Sequence, residues 1–308
     1  MSTVEFFLAG TLSAATIFLL AAIGELVAEK SGVLNLGVEG MMAVSAAVGF
    51  IATYESGSHL LGFALAGLAG MLISLLFALI TVSFLANQVA TGLAVGILGL
   101  GLSALIGRDY ESLTIASPAN LHIPVLGDLP VIGPILFQQH IVVYLAFIIT
   151  AIVGYVLTYM RLGLAIRSVG ENPAAAQALG FPVYLIRYGS VAFGGLLAGF
   201  AGAYASTVYT PLWADGMIAG RGWIAVALVV FGTWKTGRIA FGAMLFGMVS
   251  LGELIAQSMG ANIPSQLLSS LPYIVTIVVL AIISTNKARM KLHAPFSLGE
   301  VFDGSESR

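Results

Sequence analysis

The chain has 308 residues, of which 12 are Lys or Arg and 14 are Asp or Glu, so charged side chains make up 8% of it against about 25% in an ordinary soluble domain. With 59% apolar residues and a mean hydropathy of +1.02, there is too little polar surface to cover a water-exposed globule, and the solvent is a bilayer. There is no Cys, the four His at 59, 122, 140 and 293 make no ligand pair, and the net charge is −2, which argues against disulfides, metal chemistry and a nucleic-acid partner.

The opening residues, MSTVEFF, carry no cationic flank, so the first hydrophobic run reads as a retained span and not as a cleavable signal peptide. A helix needs about 20 apolar residues to cross about 30 Å of hydrocarbon. Cutting the chain at charges, prolines and polar clusters predicts nine segments: 5–27, 36–53, 60–85, 89–107, 141–160, 188–209, 222–234, 239–259 and 267–285. At about 1.5 Å per residue the seventh reaches only about 20 Å. It reads as a half-helix joined to the irregular stretch PLWADGMIAGRG before it, and the second segment, which begins in a Gly-rich run, could also be re-entrant. The expected fold is an all-α polytopic membrane protein, residues 1–308 forming one transmembrane domain of about nine spans, within a range of about eight to ten.

If the C-terminus is cytoplasmic, the connections carrying Lys30, Arg161, Arg167, Arg187, Lys235 and Arg238 face the cytoplasm together with Lys287, Arg289, Lys291 and Arg308. Only Arg108 and Arg221 fall outside that set. The imbalance matches the positive-inside rule and puts the N-terminus outside.

Sliding the sequence by 182 residues lays Gly40 on Gly222, Ala43 on Ala225, Val44 on Val226 and Val48 on Val230, with Glu39 on Arg221. The same offset lays spans one to four over spans six to nine. The halves are then 5–107 and 188–285, with 141–160 as a bridging span, 161–187 as a cytoplasmic loop and 286–308 as a cytoplasmic tail. An odd number of crossings separates equivalents, so the repeat is inverted, and inverted halves put a substrate route at their interface where broken helices present polar groups. The stretches SGVLNLGVEGMM (31–42) and ADGMIAGRGW (214–223) are the candidate unwound segments; their glycines either line a pathway or only allow close helix packing.

Charges at membrane depth are costly, about 2.5–3.5 kcal/mol on insertion scales, so Glu25, Glu39 and Glu253 require an account. Glu25 and Glu29 with Lys30 read as a snorkelling cluster at a helix end. Glu39, beside Asn35 in the proposed break, is either a pathway group or a latch bridging to Arg221, with a simple interface charge as the alternative. Glu253 shares a helical face with Gln257 and Ser250 and serves interhelical bonding or substrate contact equally well. Asn87, Gln88 and Thr91 open the fourth span, where capping is the plainer reading and solute contact the sharper one. Met41 and Met42 would supply apolar walls, and Trp213, Trp223 and Trp234 read as interfacial belt residues.

The longest loop on the cationic side, 161–187, holds a complete short helix: Asn172 to cap, Pro173 in the first turn, Ala174 to Leu179 to propagate, Gly180 to end it and Pro182 to block continuation. So short a helix does not persist alone in water. It docks on a partner protein, with its own cytoplasmic face or the lipid surface as the alternative seats.

These residues resemble a known family, the membrane permease subunits of bacterial ABC importers for simple sugars and nucleosides, related to the ribose and branched-chain amino-acid permeases. The matching stretches are EKSGVLNLGVEGMM, IPVLGDLPVIGPILF, SVGENPAAAQALG and GRGWIAVALVVFGTWK, which span most of the chain. The resemblance implies that Glu171 to Gly180, with Asn172, Pro173, Ala174, Ala175 and Ala176 and the flanking Arg167, form a coupling helix for an ATP-binding subunit. It also implies two permeases, here a diverged second copy, an extracytoplasmic substrate-binding protein and a bacterial inner-membrane location. Glu39 departs from the sugar-type pattern, which favours a nucleoside over ribose; a simple sugar or a heterocyclic vitamin is the alternative solute.

GTWKTG has a Lys-Thr pair, but Trp234 stands where a phosphate-binding loop needs Gly. No cofactor is expected on this chain, and ATP with magnesium belongs to the partner ATPase. The rival reading is a secondary transporter using Glu39 or Glu253 for ion coupling. An intramembrane enzyme would need a nucleophile and base that no spacing here supplies. The expected pathway set is Asn35, Glu39, Met41, Met42, Asn87, Gln88, Thr91, Arg221, Trp223 and Glu253.

Overall fold

The computed structural model describes residues 3–258, 265–284 and 294–304. The tail cations Lys287, Arg289, Lys291 and Arg308 lie outside the described residues. Among those described, the regular elements are helical, with one isolated antiparallel bridge between Thr114 and Leu212. In chain order they are α1 (Thr3–Lys30), α2 (Val38–Ser56), α3 (His59–Ala78), α4 (Gln88–Gly107), α5 (Ile141–Tyr159), α6 (Arg161–Glu171), α7 (Pro173–Ala178), α8 (Val183–Tyr204), α9 (Arg221–Phe231), α10 (Thr236–Ser258) and α11 (Ser265–Ser284). Single π-helical turns extend α3 (Leu79–Ser83) and α8 (Ala205–Tyr209).

Among the described residues, six stretches are long and apolar enough to cross a membrane: Val4–Lys30, His59–Ser83, Gln88–Tyr110, Ile141–Tyr159, Val183–Tyr209 and Thr236–Gln257. Nine segments were expected from the sequence. Three segments, those of α2, α9 and α11, are not among the six, and for α2 and α9 the difference has a physical source. The 19 residues of α2 include Glu39, Ser45 and Thr53, all buried within the protein, so this helix need not be apolar enough for lipid. The 11 residues of α9 reach only about 16 Å at 1.5 Å per residue.

The bundle is layered around α1, α2 and α8. From Ala14 to Ala28 the side chains of α1 are buried on every face, as in a helix enclosed by others. Around this centre, α3, α4 and α5 keep one face against it and turn the other outward: Leu68, Leu72 and Leu76 on α3, Ile97 on α4, Ile148 and Ile152 on α5 are all exposed. Lipid is as apolar as leucine, so such helices associate through close packing and small polar bonds. The α2–α4 crossing shows both. A Cβ placed on Gly99 would lie 2.5 Å from the Gly40 backbone, and Ser103 Oγ–H donates to Ala43 O at 2.8 Å.

Helix starts follow local chemistry. The Asn87 side chain accepts from Ala90 N–H at 2.9 Å, which makes it the cap of α4. His140 caps α5, its Nδ1 accepting from Val142 N–H at 3.3 Å. Burial, with His59 adding, lowers the His140 pKa, which keeps the ring available as an acceptor.

Candidate functional site

The short elements meet in the interior. The chain leaves α1 at Lys30, passes through an irregular stretch and enters α2 at Val38; on the other side, residues 210–220 lead into α9 at Arg221. In the first stretch Asn35 is held at both ends: its N–H donates to Glu25 Oε1 at 3.0 Å and its Oδ1 accepts from Gly37 N–H at 2.9 Å. The second stretch turns at Gly220, whose φ of +80° is a left-handed conformation that glycine adopts without cost.

Glu39 joins the two. From the first turn of α2 its Oε1 accepts from Gly220 N–H at 2.6 Å and its Oε2 from Gly222 N–H at 2.7 Å. Each helix N-terminus carries bare N–H groups and a partial positive charge of about half a unit. One carboxylate therefore sits in the first turn of its own helix while binding the open end of α9. The approach is tight: a Cβ on Gly222 would lie 2.6 Å from the Glu39 backbone. Arg221 does not complete the salt-bridge latch expected from the sequence. Its Nη1 donates to Met217 O at 3.3 Å and its guanidinium lies 5.9 Å from the Tyr209 ring centroid, so that Glu39 is an electrostatic neighbour without a direct ion pair, as are Glu253 and Tyr273.

The expected pathway residues divide by exposure. Asn35, Glu39, Met41, Met42, Gln88 and Thr91 are buried within the chain; Met41 receives the Asn35 Nδ2 donor at its Sδ, 3.4 Å away. Gln88 links two segments, its Oε1 accepting from Leu34 N–H at 2.7 Å and its Nε2 donating to Glu300 O at 3.1 Å. Asn87 and Trp223 are exposed, Arg221 and Glu253 half-buried. Glu253 accepts from Gln257 Nε2 at 3.1 Å, one turn along its own helix.

Two sequence readings are corrected. Glu25 and Glu29 are not snorkelling: both are buried, Glu25 on Asn35 N–H and Glu29 Oε2 on Trp234 Nε1–H, while Glu25 Oε2 and Glu29 Oε1 are buried without a hydrogen-bond partner. Nor do the tryptophans form a belt. Trp213 packs with Ala47 and Phe50, and Trp234 turns inward to Glu29, leaving Trp223 as the exposed one. The Glu25–Glu29 spacing of one helical turn was the available signal that both side chains face one way; their partners, Asn35 and Trp234, could not be read from spacing.

At the end of the bundle near Lys30, the stretch 161–187 forms two helices, α6 and α7, and not one. α6 is amphipathic, burying Ile166 and Val169 and exposing Arg161, Leu164 and Arg167. α7 is built as the sequence implied: Asn172 Oδ1 accepts from Ala175 N–H at 3.0 Å, Pro173 opens the helix and Gly180 turns out of it at φ +87°. Glu171, Asn172, Ala174, Ala175 and Leu179 are exposed, while Ala176 packs against Val169, Val183 and Phe302.

Residues 7–283 match the family described as "Branched-chain amino acid transport system / permease component". Among curated proteins, one from Haloferax volcanii, named provisionally as a glucose ABC transporter permease protein (TsgC13), is 39% identical over 94% of this chain and 95% of its own length. The guanosine ABC transporter permease protein NupQ of Bacillus subtilis is 35% identical over 88% and 89% of the two chains. The nucleoside ABC transporter permease protein NupC of Lactococcus lactis is 33% identical over 92% and 93%. No solved structure matches the chain.

Proposed function

The chain belongs to the permease-component family of the branched-chain amino acid transport type, a multi-pass membrane subunit of an ABC importer, and on that premise we propose that its solute is a nucleoside. ATP hydrolysis in such importers is the work of a separate subunit. Two of the three relatives named above are named for nucleoside or guanosine transport, and the exposed Trp223 opens α9 beside Arg221. An indole face stacks on a nucleobase, and a guanidinium donates to its carbonyl oxygens and ring nitrogens. The observation that carries the pathway reading is the meeting of α2 with the open end of α9 through Glu39, the arrangement of broken helices that surrounds solute sites in membrane carriers.

The same premise gives α7 its role as the helix that docks on the ATP-binding subunit, which binds ATP and magnesium. The exposed face of Ala174, Ala175 and Leu179 supports this. Further partners are a second, diverged permease and an extracytoplasmic substrate-binding protein. The N-terminus lies outside and the C-terminus in the cytoplasm of a bacterial inner membrane. α2, α9 with its leading stretch, and α11 complete nine crossings, and α1–α4 repeat in α8–α11 with inverted orientation; the equivalent positions of α2 and α9 in the two halves support that symmetry.

The test is uptake of radiolabelled guanosine by proteoliposomes holding the permeases, the ATPase subunit and the binding protein. Guanosine uptake that requires ATP on the ATPase side and resists excess glucose is expected. Uptake of glucose and not guanosine would overturn the nucleoside assignment; accumulation by this chain alone on an ion gradient would overturn the importer role itself.

A further inference from the structure

Residues 294–304 lie across the same end of the bundle as α6 and α7, and they bond to two places there, in addition to the direct packing of Gly170 on the Lys30–Gly32 backbone. One is the α6–α7–α8 corner. Ser297 donates both its N–H, at 3.0 Å, and its Oγ–H, at 2.7 Å, to Gly170 O. Phe302 is buried against Val169, Ala176 and Val183, with the Arg187 guanidinium 5.7 Å from its ring centroid. Gly304 N–H donates to Tyr184 Oη at 3.1 Å.

The other is the irregular stretch between α1 and α2. Gly299 N–H donates to Gly32 O at 3.3 Å. Glu300 O accepts from Gln88 Nε2, and the same amide accepts from Leu34 N–H. Leu34 is followed by Asn35, which fixes Gly37 at the start of α2 and so the helix that carries Glu39.

We propose that this tail segment is a strut, with Phe302 as a positioning residue, that carries movement of α7 to the broken stretch in front of α2; the proposal rests on the importer reading above. A segment bonded at both ends, with an aromatic side chain seated under α7, moves with α7 or loses those bonds. Bare peptide groups and an uncovered Phe are each unfavourable. The bonded path runs from Ala176 through Phe302, Glu300 and Gln88 to Leu34 and Asn35. It gives the short helix a grip on the interior beyond the direct contact of Gly170 with the end of α1.

The experiment uses the full complex with its ATPase subunit. The chain has no Cys, so Asp215→Cys, exposed on the stretch before α9, gives this chain a single maleimide site whose labelling is followed on this chain's own gel band, with and without ATP and vanadate. With the native tail, nucleotide trapping changes the labelling rate several-fold. In the Phe302→Ala background that response falls to less than twofold while ATP hydrolysis stays within twofold of the parent, and Phe302→Leu restores the response. Termination after Ala294 gives the same uncoupling. An unaltered response in both Phe302→Ala and the truncated chain would overturn the strut, and so would loss of the ATPase subunit from the Phe302→Ala complex, since Phe302 would then only shape the docking surface. Failure of the parent chain to bind an ATPase subunit at all would instead strike the importer reading.

Discussion

Glu39 accepts from Gly220 and Gly222 at the mouth of α9, so Glu39→Ala leaves one buried donor, Gly222 N–H, bare at about 1–3 kcal/mol, and the half-buried Gly220 N–H bare at a smaller cost. Glu39→Gln keeps one acceptor oxygen but points an amide N–H at the other donor, so its melting temperature in detergent is expected to fall between those of the parent and the alanine variant. Equal melting of all three would show that the carboxylate does not hold α9. Asn35 and Glu39 are buried and build this junction; under the proposed function the exposed Trp223 beside it is the side chain to test for solute contact. Trp223→Ala is expected to weaken solute uptake while changing stability by no more than about 0.5 kcal/mol, as at exposed sites generally. Trp213→Ala, which empties the space between Ala47 and Phe50, should cost about 3–5 kcal/mol. Thermal unfolding of the two variants side by side separates the roles.

Among the elements, α7 offers the sharpest contrast, because adjacent alanines face opposite ways. Ala175 is exposed and Ala176 is buried against Val169, Val183 and Phe302. Ala175→Arg is expected to abolish transport in a protein that still inserts and folds; Ala176→Arg forces a charge into an apolar cluster and should lower the yield of folded protein as well. Size-exclusion profiles measured with uptake distinguish the two outcomes. The α2–α4 crossing is equally specific: Gly99→Val places atoms against the Gly40 backbone and is expected to destabilise the bundle by about 1–3 kcal/mol, as overpacking does, which thermal unfolding in detergent reads directly. The cap, first turn and exit of α7 were legible because Asn172, Pro173 and Gly180 act within a few residues of one another. α6 escaped the sequence reading because its alternation of Leu, Ile and Arg has no cap residue in front of it; Met160 precedes it without a capping side chain.

For the molecule as a whole, the absence of Cys makes orientation directly measurable. Cysteine at 175 is expected to react with an impermeant maleimide from the cytoplasmic side only, and cysteine at 58, between α2 and α3, from the outside only. Reaction of residue 175 from outside would invert the assignment and detach α7 from any ATPase. Composition alone determined the bilayer as solvent, since 8% charge leaves too little polar surface for water, and the length of the apolar runs, about 20 residues each, determined helices and not the shorter strands of a barrel. Local spacing determined the short capped helix and the two Gly-rich interruptions. The tertiary structure decided what those interruptions hold: Glu39 on the mouth of α9, Glu29 on Trp234, Gln88 between Leu34 and Glu300. Each of those bonds closes over a sequence separation from 54 to 212 residues. A carboxylate or amide chooses its partner by proximity in space, and at such separations only the packing of small-residue helices against one another brings donor and acceptor together.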